Sequence, residues 1–508
     1  MSALLAPDSL AIQSLIFYYA RKNLHHHVFT AASQALTKRS GDSQLLFWKA
    51  FAALREDRAA DAIRELEAIR GKQGVQLPVL ICLKMAHESA KYVDREELSR
   101  ISTDITQEEK SNREGSLFTA AAVCLLLKDH KKAREYIGKV LEINQQYPQA
   151  LSLCGWIDLL SGSEIKARKS LKYFEDAKNA NPNDLEASLG IAAFHEYTGT
   201  DRAAATEKAL EELNKAIVKF SWFTPALSEK ARLLLSIGDW EQSMEAATRS
   251  LMLTPNNVEA LTITILYHLA KESKFKTAAS KLSELCDLLA DEEPRNPLLA
   301  LETAAILARF CGRQPSILSQ CIQLATKAVQ ANPLNSDALT EMGYLLCLEG
   351  QFAKALEQFQ EAARLDEANL TALHGGILCQ VHLGQLEDAA QQVDFLSEIH
   401  AEAGACADLA YVSALIAARR DASSDACVAR LQEAARIHLE TEVAGPACGG
   451  WTGALRRGST LSELAARNPD FLLQLARDLV QLLGPEPIPP GEPPGPQFGL
   501  CRRILEAV

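Results

Sequence analysis

Apolar residues recur along most of the chain at the spacing of amphipathic helices. The clearest unit begins at Ser336, and its first stripe occupies positions i, i+3, i+4 and i+7 of one helix face: Leu339, Met342, Gly343 and Leu346. Gly350 interrupts the pattern, and a second stripe follows at helical spacing: Phe352, Ala355, Phe359 and Ala362. The unit is therefore predicted to be two helices joined by a tight turn. Neither helix can bury its stripe alone, so each hairpin needs a neighbour.

Small residues in this unit are predicted to mark close contacts between helices. Gly343 and Ala355 are expected where the two helices of the hairpin approach most closely, because a larger side chain there would push them apart. Phe359 and Leu365 are expected to face the next hairpin. The paired Gly375 and Gly376 lie in a helical pattern and follow no strand, so they too are assigned to close helix packing rather than to a phosphate-binding loop.

The hairpin pattern repeats with a period of 34 residues, which is typical of tetratricopeptide hairpins. The next unit begins at Leu370, so Gly384 corresponds to Gly350 and Ala389 to Ala355. Further units begin near three earlier positions: Leu46, Pro148 and Thr224. Helices are predicted to end before three prolines: Pro182, Pro255 and Pro333. Strand signals are almost absent from the sequence.

These patterns predict an all-α fold, a right-handed superhelical α-solenoid of tetratricopeptide-type hairpins. The solenoid is predicted to span residues 1–483, with about twelve hairpins of which several are degenerate. Residues 484–499 are rich in proline and glycine and are predicted to form a linker, because such a segment cannot be helical. Residues 500–508 are expected to begin a further helix that is cut short at Val508.

Charge and cysteine placement restrict the function classes. A formal net charge of −12 disfavours nucleic acid as a partner. The N-terminal segment has no basic stretch before its apolar residues, so a signal peptide is not predicted. The longest apolar stretches, such as residues 120–127, are too short for direct insertion into a membrane. The twelve cysteines are scattered and are interpreted as small core residues in a reducing compartment.

No catalytic, cofactor-binding or metal-binding residue is predicted, and the chain is not expected to be an enzyme. The consecutive histidines at positions 25–27 lack the spacing of helical metal ligands and are assigned to a solvated loop between two helices. His374 and His382 are about two turns apart, too far for one metal ion, and are assigned to surface or satisfied core positions. Cys448 has no matched base and is assigned to a loop.

Two further groups of residues are given structural interpretations. The charge runs at residues 56–58 and 291–293 are assigned to solvated caps at turns. Four tryptophans in different hairpins are assigned to the core rather than to a ligand platform: Trp48, Trp156, Trp222 and Trp240.

Several stretches go beyond the generic repeat. They include LIFYYARKNLHHHV at residues 15–28, KAREYIGKVLEI at 132–143, GQLEDAAQQVDFLSEI at 384–399 and NPDFLLQLARDLV at 468–480. In these stretches the chain resembles the tetratricopeptide repeat protein 21 family, the long repeat subunit of intraflagellar transport complex A. Family members are much longer than 508 residues, so the chain is expected to be a fragment, a short isoform or an incomplete gene model.

The resemblance implies a non-enzymatic interaction scaffold, a peripheral subunit of intraflagellar transport complex A. Its expected role is retrograde ciliary transport and the localisation of proteins to the cilium. The implied partners are the other complex A subunits and ciliary cargo or cargo adaptors, and the implied location is the cytoplasm and the cilium, at the axoneme and the ciliary base. Partners are expected to lie along the faces of the solenoid as helices or extended segments.

Two alternatives remain open at this point. One is a generic tetratricopeptide adaptor or co-chaperone that holds acidic C-terminal tails, although the positions that would carry its Lys and Asn are occupied by other residues: Thr340, Tyr344, His374 and Leu378. The other is the recruitment module of an enzyme whose catalytic domain lies beyond residue 508.

Overall fold

The computed structural model describes residues 9–89, 93–111, 113–199, 202–403, 406–420, 425–444 and 468–483, together with Leu500 and Arg502. Across these ranges the regular structure is helical and contains no strand, so the all-α prediction is confirmed. The first twelve helices are α1 (Ser9–Arg21), α2 (His25–Leu36), α3 (Ser43–Arg55), α4 (Ala59–Ile69), α5 (Gln76–Glu88), α6 (Arg95–Glu108), α7 (Glu114–Leu126), α8 (His130–Ile143), α9 (Pro148–Leu159), α10 (Glu164–Ala180), α11 (Leu185–Thr198) and α12 (Arg202–Lys219). The remaining helices are α13 (Thr224–Ser236), α14 (Trp240–Leu253), α15 (Val258–Ala270), α16 (Phe275–Glu292), α17 (Pro297–Phe310), α18 (Pro315–Ala331), α19 (Ser336–Glu349), α20 (Phe352–Leu365), α21 (Leu370–His382), α22 (Leu386–Ala403), α23 (Ala407–Arg420), α24 (Asp425–Ala444) and α25 (Pro469–Leu483).

Consecutive helices pack as hairpins that stack on one another. An odd-numbered helix packs against the even-numbered helix that follows it, as α9 does with α10 and α19 with α20. Odd-numbered helices also contact each other along the chain, as α7 contacts α9 and α21 contacts α23. This is the stacked-hairpin arrangement of an α-solenoid, in which each repeat contacts its neighbours.

The chain divides into two compact units. The first comprises Met1–Ile263 and Leu288–Asn296, and the second comprises Thr264–Asp287 and Pro297–Val508. The predicted linker at residues 484–499 and most of the predicted C-terminal helix at residues 500–508 lie outside the described ranges.

The turns fall where the glycine spacing placed them. Gly350 and Gly384, one repeat apart, both adopt φ of +82°, a left-handed conformation that glycine reaches without the strain of a side chain. At the next helix start, the Asn369 side chain accepts a hydrogen bond from the Ala372 N–H and donates to Ser336 Oγ at 2.8 Å. The asparagine therefore caps α21 and ties it to α19 of the preceding hairpin.

A phenylalanine clamped between two glycines fixes the distance between adjacent hairpins. Phe359 on α20 is buried, and a Cβ atom added to Gly343 on α19 would lie 2.8 Å from its ring. A Cβ atom added to Gly375 of α21 would lie even closer to the Phe359 ring. The close approach predicted at Gly343 is confirmed, as is the orientation of Phe359 toward the next hairpin. Leu365 is 37% exposed, so its expected contact with the next hairpin stays a prediction.

The first unit repeats this device. Phe174 on α10 is fully buried, and its ring fills the space where Cβ atoms would stand on Gly155 of α9 and Gly190 of α11. The glycines are thus needed for packing in these helices, although glycine lowers helix propensity by about 1 kcal/mol relative to alanine.

The adjacent pair Gly375 and Gly376 offers a matched test of this packing. Gly375→Ala is expected to destabilise the protein by about 1–3 kcal/mol, because the new methyl group collides with the Phe359 ring. Gly376→Ala should be neutral or slightly stabilising, because its Cβ atom would lie 3.8 Å from Leu356 and 3.9 Å from Phe359. Urea unfolding of the two variants measures the difference. Equal midpoints would contradict the clamped position of the Phe359 ring.

Candidate partner-binding site

In the first unit, the N-terminal helix α1 contacts helices far along the chain. The Tyr18 hydroxyl donates to Glu259 Oε2 on α15 at 2.9 Å and lies 3.2 Å from Glu229 Oε1 on α13. Lys22 Nζ lies 2.7 Å from Glu229 Oε1 and 3.1 Å from Glu259 Oε1. Arg232 completes the cluster, with Nη2 at 2.7 Å from Glu229 Oε2. The end of α1 is therefore held by a shared set of carboxylates on two odd-numbered helices.

A second polar contact lies one residue before Lys22. Arg21 pairs with the Glu186 carboxylate on α11, and its guanidinium carbon lies 4.1 Å from the centroid of the Trp156 ring on α9. A cation over an indole face adds to the attraction of the ion pair, most strongly where water is excluded. Arg21 therefore fixes α1 against two more odd-numbered helices.

The apolar side of α1 packs against two early helices of the same unit, α3 and α7. Phe17 packs edge-on against Trp48 of α3, with 5.3 Å between ring centroids, and lies 6.1 Å from Phe118 of α7. Ile16, the residue before it, is buried as well. Helix α1 and Lys22 at its end thus contact six odd-numbered helices: α3, α7, α9, α11, α13 and α15. Hairpin arrays use the surface formed by such helices to hold an extended or helical partner.

The cluster at the end of α1 is charged. Burial alone would lower the pKa of Lys22, but the Glu229 and Glu259 carboxylates outweigh it and raise that pKa above 10.5. Burial would raise the pKa of Glu229, but Arg232 and Lys22 together hold it well below its usual 4.5. Burial, with the two carboxylates, raises the pKa of Tyr18 well above 10.0. At neutral pH the cluster therefore contains ammonium, carboxylate and neutral phenol groups.

Lys22→Met tests whether this cluster holds α1 in place. The variant removes the cation between two carboxylates, and charged hydrogen bonds contribute roughly 1.5–3 kcal/mol. Because Lys22 is 29% exposed, we expect a loss of stability at the lower end of this range. Such a loss corresponds to about tenfold faster amide hydrogen exchange in α1. Lys215→Met is the control, since Lys215 is 56% exposed and pairs only within α12 among the ion pairs described. Equal exchange in both variants would contradict the prediction.

A cavity of about 320 Å³ lies beside α1 in the first unit. Its walls combine aromatic and polar side chains from α1, α9 and the turns that precede α11 and α13: Phe17, Trp156, Phe220, Trp222, Asn181 and Asp184. The cavity is an open part of the odd-helix surface near α1. Trp48 and Trp156 are buried in the core as predicted, and Trp156 also lines the cavity wall together with the half-buried Trp222.

The histidines at positions 25–27 do not lie in a solvated loop, so that interpretation is wrong. They form the first turn of α2, where His26 Nδ1 lies 2.9 Å from Glu56 Oε1 and His27 Nδ1 lies 2.8 Å from Glu293 Oε1. Both carboxylates are buried, so the assignment of Glu56 and Glu293 to solvated caps is also wrong. Glu56 follows α3 in the next hairpin and Glu293 is 266 residues from His27, and the local sequence pattern shows neither contact.

In the second unit, His374 belongs to a cluster that the sequence analysis missed. One ring nitrogen of His374, Cys406 Sγ and one Asp408 carboxylate oxygen all lie within 4.8 Å of one another. His382, which was considered with His374 as a metal ligand, does not belong to this cluster. Its ring stacks on the Phe352 ring with 4.1 Å between centroids. The repeat period is the sequence signal that could have found this cluster, because Asp408 follows His374 by one period of 34 residues. Cys448 lies outside the described residues.

The other thiols that the sequence placed in the core are mostly buried. Cys82, Cys124, Cys154 and Cys379 are buried, and burial is the main cause that raises the pKa of Cys124 and Cys154 to about 12. Such thiols are protonated at neutral pH and are poor nucleophiles. Among the helices that the structure describes, none is long and apolar enough to cross a bilayer.

Comparison with known proteins agrees with the stretches noted in the sequence. The model of the tetratricopeptide repeat protein 21 N-terminal ARM repeat matches residues 16–244, and that of the second ARM domain of the same protein matches residues 280–508. The chain belongs to the tetratricopeptide repeat protein 21 family. Human tetratricopeptide repeat protein 21B is 33% identical over 505 residues, which is 99% of this chain and 37% of the human protein. The chain thus spans just over a third of the length of that relative.

Two more distant similarities accompany this family match. Human cilia- and flagella-associated protein 70 is 23% identical over 328 residues, 56% of this chain and 28% of that protein. Yeast Tom70 aligns with a TM-score of 0.38 at 15% identity, over 94% of this chain and 90% of the Tom70 chain. A TM-score this low does not indicate a shared arrangement of helices. The family and the fold identify the chain as a helical-repeat scaffold.

Proposed function

We propose that this member of the tetratricopeptide repeat protein 21 family is a non-enzymatic scaffold subunit of intraflagellar transport complex A. Its role is in retrograde ciliary transport and in bringing proteins to the cilium. The observation that carries the proposal is that two family models together extend over most of the chain. The similarity to a cilia- and flagella-associated protein supports the ciliary location.

The proposed partners are the other complex A subunits and ciliary cargo or cargo adaptors. The proposed location is the cytoplasm and the cilium, at the axoneme and the ciliary base. The mechanism is binding, with rigid hairpins that present fixed surfaces rather than groups that react. In the first unit, α1 already covers much of the odd-helix surface, so partners there use the cavity beside Trp156 and the outer, even-numbered helices.

Affinity purification of the tagged 508-residue chain from ciliated cells tests the proposal. We expect recovery of the other complex A subunits, and a fluorescent tag on the same chain should mark the ciliary base and the axoneme. A matched purification from cells without cilia shows which partners depend on the organelle.

Two results would overturn the proposal. Recovery of chaperones with acidic C-terminal tails, without complex A subunits, would identify a generic adaptor or co-chaperone. Recovery of neither group, from a chain shown to be folded by circular dichroism, would exclude stable membership of complex A.

A further inference from the structure

Three side chains with metal-binding atoms meet between two hairpins of the second unit. His374 lies on α21, and Cys406 and Asp408 lie at the start of α23. His374 is 1% exposed and Asp408 is 5% exposed, whereas Cys406 is only half-buried. The three potential ligand atoms lie within 4.8 Å of one another.

The residue types are those that bind zinc. An imidazole nitrogen, a thiolate and a carboxylate oxygen are the ligand atoms of protein zinc sites, at bond lengths of about 2.0–2.3 Å. Ligand atoms at these lengths in a tetrahedral site lie about 3.4–3.6 Å apart. The present spacing reaches that geometry with shifts of about 1 Å, which small side-chain rotations supply. A harder ion such as Mg²⁺ does not suit the thiolate or the imidazole.

A cavity lies beside one of the three residues, Asp408. The cavity has a volume of about 100 Å³ and is also lined by Tyr411 and Gln474. Arg313 lines the same cavity, but its guanidinium is held by the Asp470 carboxylate at 3.0 Å. The cavity gives water access to Asp408, and a zinc ion with three protein ligands takes a water molecule as its fourth ligand.

We propose that His374, Cys406 and Asp408 bind one Zn²⁺ ion, which ties α21 to the beginning of α23. The site connects two successive hairpins through side chains that come from both. Zinc binding releases the Cys406 thiol proton to solvent, because the thiolate is the ligand. The ion stabilises the folded second unit, since a chain without the fold does not bring the three ligands together.

Cobalt substitution of the full 508-residue chain tests the site directly. Tetrahedral Co²⁺ with a thiolate ligand gives visible d–d bands and a near-ultraviolet charge-transfer band, and one equivalent of Zn²⁺ should abolish both. Cys406→Ser should remove the charge-transfer band. Asp408→Asn, which preserves shape, should weaken Zn²⁺ binding by at least about 10-fold, since even outer-sphere changes have effects of this size.

The thiol pair of Cys347 and Cys379 provides the matched control. Their sulfur atoms lie 3.3 Å apart on α19 and α21, so they are a competing pair of thiols, one of which lies on the same helix as His374. Cys347→Ser with Cys379→Ser should leave the Co²⁺ bands and the zinc stoichiometry unchanged. Absence of bound metal in the folded wild-type chain at micromolar free Zn²⁺ would overturn the proposal. So would bands that vanish in the control and persist in Cys406→Ser.

Discussion

Glu341→Ala is expected to lower the free energy of unfolding of the second unit by about 3–5 kcal/mol. Glu341 on α19 accepts two hydrogen bonds from the Arg309 guanidinium on α17, at 2.7 and 3.0 Å. Both side chains are almost fully buried, with 0% of Arg309 and 3% of Glu341 exposed. Removing the carboxylate leaves a buried guanidinium without the group that compensates its charge, and this desolvation is the reason for the large effect.

Two variants separate this charge effect from other consequences of the substitution. Replacing Arg309 and Glu341 together by methionine should recover most of the loss, because a buried ion pair is often no more stabilising than apolar residues of similar volume. Glu433→Ala, which breaks an exposed pair with Arg436 on α24, should change stability by less than about 1 kcal/mol. Urea unfolding monitored by circular dichroism measures all three. If Glu341→Ala unfolded at the same urea concentration as Glu433→Ala, the pair would not be buried as described.

Phe174→Ala should have a comparable effect in the first unit, about 3–5 kcal/mol. Phe174 is fully buried between Gly155 and Gly190, and its ring also packs edge-on against Trp156, with 5.6 Å between centroids. The flanking glycines have no side chain that can move into the cavity left by the substitution, so most of the volume of the Phe174 ring stays empty. The thermal midpoint of the chain reports the loss. Phe395→Ala, at a 61% exposed phenylalanine on α22, is the control and should be near neutral.

The same site predicts a coupling between two substitutions. Gly190→Ala alone should destabilise the protein, because the new Cβ atom would overlap the Phe174 ring. In the Phe174→Ala background that ring is gone, so Gly190→Ala should be neutral or stabilising. The double-mutant cycle measures the difference. Additive effects would show that the ring and the glycine do not touch.

Much of the local structure follows from the sequence. The hairpin of α19 and α20, its turn at Gly350 and the close contact at Gly343 were all predicted from one stretch of sequence. The reason is that amphipathic spacing, turn glycines and small residues act over a single hairpin, where the interacting residues lie less than one repeat apart. The family was likewise recognisable from short stretches, and the models of the family match the same chain.

The interpretations of the histidines and of the charge runs failed because these residues contact other hairpins, some of them distant in sequence. His27 meets Glu293, and Tyr18 meets Glu259, across more than two hundred residues. Periodicity shows which face of a helix is buried, but it does not show which later hairpin that face meets. Which later hairpin a face meets depends on the rotation that accumulates from one hairpin to the next.

The sequence by itself determined the all-helical class, the 34-residue hairpin and the family. The tertiary structure decided that α1 lies on the odd-numbered helices of the first unit and that His374 meets Cys406 and Asp408 in the second. The physical reason is the range of the interactions. Burial of an apolar stripe is specified within each repeat, whereas ion pairs and ligand clusters form only where the packed repeats bring separate side chains to within a few ångströms.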